Sequence, residues 1–237
     1  MNSRSSFSLM ALLALLSASA IAQEENGTTR EIQLGGLLTT GNTEEASFNF
    51  AGNINIIQDQ WEYDFSLDGL YSSSDNEVTS QRFYGVASAN YTISEDSFVL
   101  TRASHEDDRF SGYDSQSDFT VSYGRGVLQN RSDMGLTLNA GIGVRWSRLD
   151  GSDFDEPILR FAADYDWDIS TTATFNQQLS SESGTDSNIY RSESSIQTQI
   201  LENMSLRFSV KLKHQTEVPP GADETDTEMA VTLVMRF

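Results

Sequence analysis

Apolar side chains recur at every second position through most of this sequence, and that period confines the chain to β-strands. From Ala46 to Ile56 the row Ala46, Phe48, Phe50, Gly52, Ile54 and Ile56 alternates with Ser47, Asn49, Ala51, Asn53 and Asn55. Leu136, Leu138, Ala140, Ile142, Val144 and Trp146 alternate in the same way with Thr137, Asn139, Gly141, Gly143, Arg145 and Ser147. The last stretch sets Thr227, Met229, Val231, Leu233, Met235 and Phe237 against Asp226, Glu228, Ala230, Thr232, Val234 and Arg236. Twelve such segments fit between Glu31 and Phe237, most of roughly 9 to 13 residues, long enough to cross a bilayer as tilted strands. An even count returns both chain ends to one side. Connections before the third, fifth, seventh, ninth and eleventh segments read as tight, for example Gln58-Asp59-Gln60, Gln129 to Asp133 and Glu202-Asn203. Most of the others read as longer polar loops, at Ser72 to Gln81, Ser104 to Ser117 and Leu149 to Pro157, with Gly41-Asn42 a short exception. The fifth segment has open parity, because Phe98 with Leu100 and Val99 with Ala103 both qualify as its apolar row; a bulge would reconcile them.

Alternation alone does not say which row meets water. A small soluble barrel would turn the apolar rows inward, yet side chains from twelve long strands would overfill a closed barrel. The polar rows are also unlike a soluble acidic surface, being largely Asn, Ser, Thr, Gln and Gly with clustered Asp and Arg. Aromatics gather near segment ends. Trp61, Tyr63, Tyr91, Trp167 and Phe237 lie on the turn side, and Tyr71, Phe83, Trp146 and Tyr190 on the loop side, as two membrane interfaces would require. The expected fold is therefore all-β, a transmembrane antiparallel up-and-down barrel of about twelve strands, with outer-membrane lipids as its surroundings.

The N-terminus agrees with export. Arg4, the apolar run Phe7 to Leu16 and Ala20-Ile21-Ala22 have the order of a secretory signal, so residues 1–22 are expected to be cleaved before Gln23. Residues 23–30 would then form a short periplasmic segment and 31–237 the barrel. Loss of Arg4 leaves 14 basic against 35 acidic residues, a net charge of −21, which argues against nucleic acid as a partner. Thirteen Phe, eight Tyr and three Trp are too many aromatics for a disordered acidic chain. There is no cysteine, hence no disulfide framework and no thiolate metal site.

Several stretches together carry a family resemblance. They are Leu34-Gly35 with Thr40-Gly41-Asn42-Thr43, the run Asp107-Asp108-Arg109-Phe110-Ser111-Gly112-Tyr113-Asp114, Tyr165 to Ser170, Tyr190 to Glu193, and Asp226-Thr227 with the terminal Phe237. The mature chain resembles the salt-induced outer-membrane proteins, a family built on a domain of unknown function. The resemblance implies an outer-membrane barrel in a Gram-negative envelope and a link to salt or osmotic stress. It implies no catalytic residues and no cofactor. Met235 and Phe237 resemble the C-terminal signal read by the barrel-assembly machinery.

Chemistry is sparse. The two histidines, His105 and His214, lack the His-x-Ser pairing of outer-membrane lipid hydrolases, and no enzyme activity or catalytic residue is assigned. Asp150, Asp153, Asp155 and Glu156 have the oxygens for a hard cation but not EF-hand spacing; a solvated acidic loop is the plainer reading, and no metal site is assigned. The candidate functional residues are the charges expected to face the lumen. They are Glu62, Asp64 and Asp68; Arg145; Arg160, Asp164, Asp166 and Asp168; Arg191 and Glu193; Arg207, Lys211 and Lys213; and Asp226, Glu228 and Arg236. Bases concentrated on the last three strands, facing acids on the third and eighth, would set a transverse field across a narrow aqueous path. This predicts a porin-like channel for small charged solutes or ions. A plugged, non-conducting barrel presenting acidic loops is the alternative, with a soluble carrier barrel third. The sequence assigns neither a solute nor an oligomeric state.

Overall fold

The computed structural model describes residues 27–39, 45–75, 77–109, 111–128, 131–149 and 151–237. Its first six strands are β1 (Thr28–Thr39), β2 (Glu45–Gln58), β3 (Trp61–Ser74), β4 (Glu77–Ser94), β5 (Ser97–Asp108) and β6 (Ser115–Gly126). The second six are β7 (Met134–Leu149), β8 (Ser152–Ser170), β9 (Ala173–Gly184), β10 (Asn188–Leu201), β11 (Met204–Gln215) and β12 (Thr225–Arg236). Each pairs antiparallel with its neighbours in sequence, and β1 pairs with β12, closing a single twelve-stranded barrel. Closure joins the two terminal strands, so the sheet has no open edge strand, as a lipid environment demands.

The barrel is apolar outside and polar inside. Among the described residues only Ile158, Ile189 and Val234 are buried large apolar side chains, whereas nineteen polar or charged residues are buried. Outward apolar side chains are left bare, with Ile142 67 % and Met229 70 % exposed. In water that inventory would be inverted; in hydrocarbon it is the stable arrangement. Trp61, Tyr91, Trp167 and Phe237 are exposed near the turn side, and Tyr71, Phe83, Trp146 and Tyr190 near the loop side. Within the first belt Trp61 stacks on Tyr63 at 5.9 Å and meets Tyr91 at 4.9 Å.

Strand ends differ from expectation. β1 opens at Thr28, so residues 28–30 belong to the wall, and Arg30 exchanges two backbone hydrogen bonds with Phe237 (3.1 and 2.9 Å). The stretch Ser72 to Gln81 is largely strand, since β3 runs to Ser74 and β4 starts at Glu77. Likewise β5 runs to Asp108, and β8 starts at Ser152 after a turn at Gly151 (φ +74°). Beyond the aromatic belt both faces of a strand meet water, so the apolar alternation fades while backbone pairing continues. β4 and β8 thereby reach 18 and 19 residues. In the other direction, β6 ends at Gly126 and β7 starts at Met134, a wider gap than the expected turn at Gln129 to Asp133, of which Gln129 and Asn130 lie outside the described residues. The signal segment 1–22, the Gly41-Asn42 turn, Phe110 and Asp150 lie outside the described residues.

β5 resolves its parity without an internal bulge. Arg102, Ser104 and Glu106 are buried toward the lumen, and Phe98 and Leu100 line it on the same row. The register irregularity falls in β4, between Thr92 and Ser94. Gly124 on β6 makes the inward aromatic possible: a Cβ there would lie 2.2 Å from Phe98 Cζ.

Candidate functional site: a charged lumen

The inward rows enclose a cavity of about 1160 Å³ lined by charged, amide and hydroxyl groups. Toward the turn side, Glu62 accepts a hydrogen bond from Asn55 and Asp64 one from Asn53, both at 2.7 Å. Asp164, Asp166, Glu193 and Asp226 line the same cavity, and Asp168 accepts from Thr174 at 3.0 Å. Arg207 donates to Gln197 and Glu31, and Arg236 also reaches Glu31 at 2.9 Å.

Midway along the lumen, charges from separated strands meet. Asp68 on β3 accepts from Arg82 on β4 and from Lys211 on β11, each at 2.7 Å; Arg82 also reaches Glu228 on β12 at 2.8 Å. Glu106 on β5 accepts from Lys213 on β11 at 2.8 Å and from Arg191 on β10 at 3.0 Å. β5 and β11 stand six positions apart in a ring of twelve, so the Lys213–Glu106 bond crosses the barrel. Arg191 does the same: its other partner is Glu182, and its guanidinium lies 5.4 Å from the ring centre of Tyr84 on β4. Charge-assisted bonds of this kind hold opposite walls together while satisfying groups that water reaches poorly.

Toward the loop side the interior is solid. Arg145 is 0 % exposed and bonds Asp118 (2.9 Å), Glu156 (3.2 Å) and the carbonyls of Ser187 and Glu182. Glu156 in turn accepts the Asp186 amide at 2.8 Å, pinning the β9–β10 turn. Above this plug two connections from opposite sides of the ring touch. The Tyr113 hydroxyl in the β5–β6 loop donates to the Glu217 carbonyl in the β11–β12 loop at 3.3 Å. A Cβ at Gly112 (φ +85°) would lie 2.9 Å from Pro219 Cδ, so only glycine fits that contact without displacement.

The predicted wall-to-wall field is not what this geometry produces. Lys211, Lys213, Arg207 and Arg236 are matched by carboxylates drawn from β1, β3 and β5, and further arginines stand on β4, β5, β7 and β8. Six charges that matter were absent from the sequence reading: Glu31, Arg82, Arg102, Glu106, Asp118 and Glu182. Extending each apolar row by its two-residue period places most of them inside. The acidic stretch at Asp153 to Glu156 is likewise not a loop. Asp153 pairs with Arg148 at 2.7 Å, Asp155 is exposed, and Glu156 is buried on the opposite face of the strand, so the three cannot converge on one cation. Both histidines face outward, His105 bonded to Ser117 and His214 to Thr225, each at 2.8 Å.

The profile of a family described as "Protein of unknown function, DUF481" matches residues 32–237. An Escherichia coli K12 relative, the uncharacterized protein YdiY, is 24 % identical over 204 residues, covering 85 % of this chain and 80 % of its own. Among solved structures, an outer membrane channel from Pseudomonas putida F1 (COG4313) superposes with a TM-score of 0.51 at 10 % identity, over 91 % of this chain and 97 % of that one. The translocator domain of the autotransporter NalP from Neisseria meningitidis gives a TM-score of 0.49 at 10 % identity, over 89 % and 88 %. The Pseudomonas likeness is one of fold.

Proposed function

The chain belongs to the DUF481 family, whose members are outer-membrane barrels of unknown function, and on that premise we propose that its lumen is a narrow, gated path for ions and small charged solutes across a Gram-negative outer membrane. The supporting observation is the charged cavity of about 1160 Å³, closed toward the loop side by side chains around Arg145 and by the contact of the β5–β6 and β11–β12 loops. The more open pairs that join Asp68, Arg82, Glu228 and Lys211 exchange partners with permeating ions, which is how charged constrictions select. A non-conducting barrel is the second reading, and the bonds from Glu106 across to Lys213 and Arg191 favour it. Planar-bilayer recording separates the two. The expected result is small discrete conductance steps, enlarged several-fold by Glu106→Gln, which removes the carboxylate from both cross-lumen ion pairs while Arg191 keeps Glu182. Protein shown to be folded by heat-modifiable migration, yet silent from low to high salt in both forms, would reject the channel.

Membrane assembly is the second part of the proposal. Residues 1–22 act as a cleaved export signal, and Met235 and Phe237 present the C-terminal feature read by the barrel-assembly machinery. Outer-membrane fractions should then contain a chain whose mass begins at Gln23. Deleting Phe237, which closes onto Arg30 through two backbone hydrogen bonds, should cut the folded amount several-fold. Equal amounts of folded protein with and without Phe237 would rule that role out.

A further inference from the structure

We propose that Arg102 and Arg160, at the loop-side end of the cavity, form a binding site for a small oxyanion, a carboxylate or a phosphate group. Both residues are 8 % exposed and both line the cavity. They come from β5 and β8, and at their level the wall between them carries small inward residues: Thr120 and Ser122 on β6, Gly141 and Gly143 on β7. Register places Arg102 beside Thr120 and Arg160 beside Gly141, so small residues leave room for both long side chains along this wall. Thr120 and Ser122 are themselves covered, 0 % and 2 % exposed.

The two guanidinium groups are short of acceptors. Arg102 donates to Ser104 Oγ at 3.0 Å and to the Tyr84 hydroxyl, and among the described residues no carboxylate lies within ion-pair distance of it. Arg160 donates from Nη1 to Asn139 at 2.8 Å. Its Nε lies 3.4 Å from Glu182 Oε1 but without hydrogen-bond geometry, leaving that buried N–H without a partner. Glu182 is shared between Arg191 and Arg160, and Glu106 between Arg191 and Lys213, so these two acids serve more cations than they can neutralise. Arg102 and Arg160 also lie within electrostatic reach of one another. A guanidinium presents five donors in a planar fork, and burying one with donors unmet is unfavourable unless an anion arrives to take them. Two such forks facing one polar cavity match the bidentate geometry of a carboxylate or phosphate.

This site deepens the channel reading by naming a solute class, and its test is independent of conduction. Calorimetric titration of the folded full-length mature barrel in detergent at low ionic strength uses sodium acetate and inorganic phosphate as separate probes. The expected result is saturable binding of at least one, weakened by about tenfold or more in Arg102→Gln and again in Arg160→Gln. Lysine at either position keeps the charge but not the fork, and should recover only part of the affinity; those variants also serve where glutamine prevents folding. No saturable binding by the folded parent protein, or equal affinity in all folded variants, overturns the site. Silent bilayers with binding intact would instead count against the channel alone.

Discussion

Replacing Arg145 with alanine is expected to destabilise the barrel by about 3–5 kcal/mol, the usual consequence of removing one partner from a buried ionic cluster. The magnitude follows from what would be left behind. Asp118 and Glu156 are both nearly inaccessible, and each bonds to a guanidinium that is itself 0 % exposed. Two carboxylates and the carbonyls of Ser187 and Glu182 would lose their donor together. Solvent screening offers little relief at that depth. Denaturant unfolding in lipid vesicles, followed by tryptophan emission and heat-modifiable migration, measures the loss. Combining Arg145→Met with Asp118→Asn and Glu156→Gln removes the stranded charges and should recover much of it. A loss below about 1 kcal/mol for the alanine variant would mean that water reaches this cluster freely.

The second large effect concerns the outer surface. Ile142 stands near the middle of β7 and is 67 % exposed, so Ile142→Arg places a charge where the hydrocarbon is deepest. In a transmembrane barrel that substitution costs about 2–4 kcal/mol at the midplane. On a water-facing surface the same change would stay within about 0.5 kcal/mol. The sign and size of this one substitution therefore discriminate a lipid face from a solvent face. Folding yield into vesicles and the unfolding midpoint both report it. An unchanged midpoint would contradict the membrane orientation of every apolar row.

What the sequence conveyed was parity. Rows such as Leu136 to Trp146 announce a strand with one lipid face, because hydrocarbon punishes any interruption. Strand ends were not legible for the complementary reason: past Tyr71 or Trp146 both faces are wet, and serines, aspartates and threonines serve equally well in strand or loop. Glu156 shows the consequence, reading as one acid in a solvated loop while standing in β8 as a buried partner of Arg145. The lumen was half legible. Parity points Lys213 and Arg191 inward, but their shared partner Glu106 sits on the strand whose parity Phe98 and Leu100 obscured. Pairing across the ring depends on stagger and closure, which no local pattern encodes. The shortage of acceptors at Arg102 and Arg160 belongs to the same class, visible only once the opposite wall is in place.

Closure itself has a kinetic side. Four residue pairs join β1 to β12, from Glu31 with Arg236 to Leu34 with Leu233, against twelve pairs between β1 and β2. The hairpins along the rest of the ring join strands adjacent in the chain, but this junction brings together residues 205 apart in sequence. Among the strand pairings of the described residues it spans the longest stretch of sequence for the fewest residue pairs, so it is expected to form last. Until then the sheet carries two unpaired edges, each a template for another chain. Glu31, bonded to both Arg207 and Arg236, ties β1 to β11 and β12 across that seam, so Glu31→Gln is expected to speed unfolding.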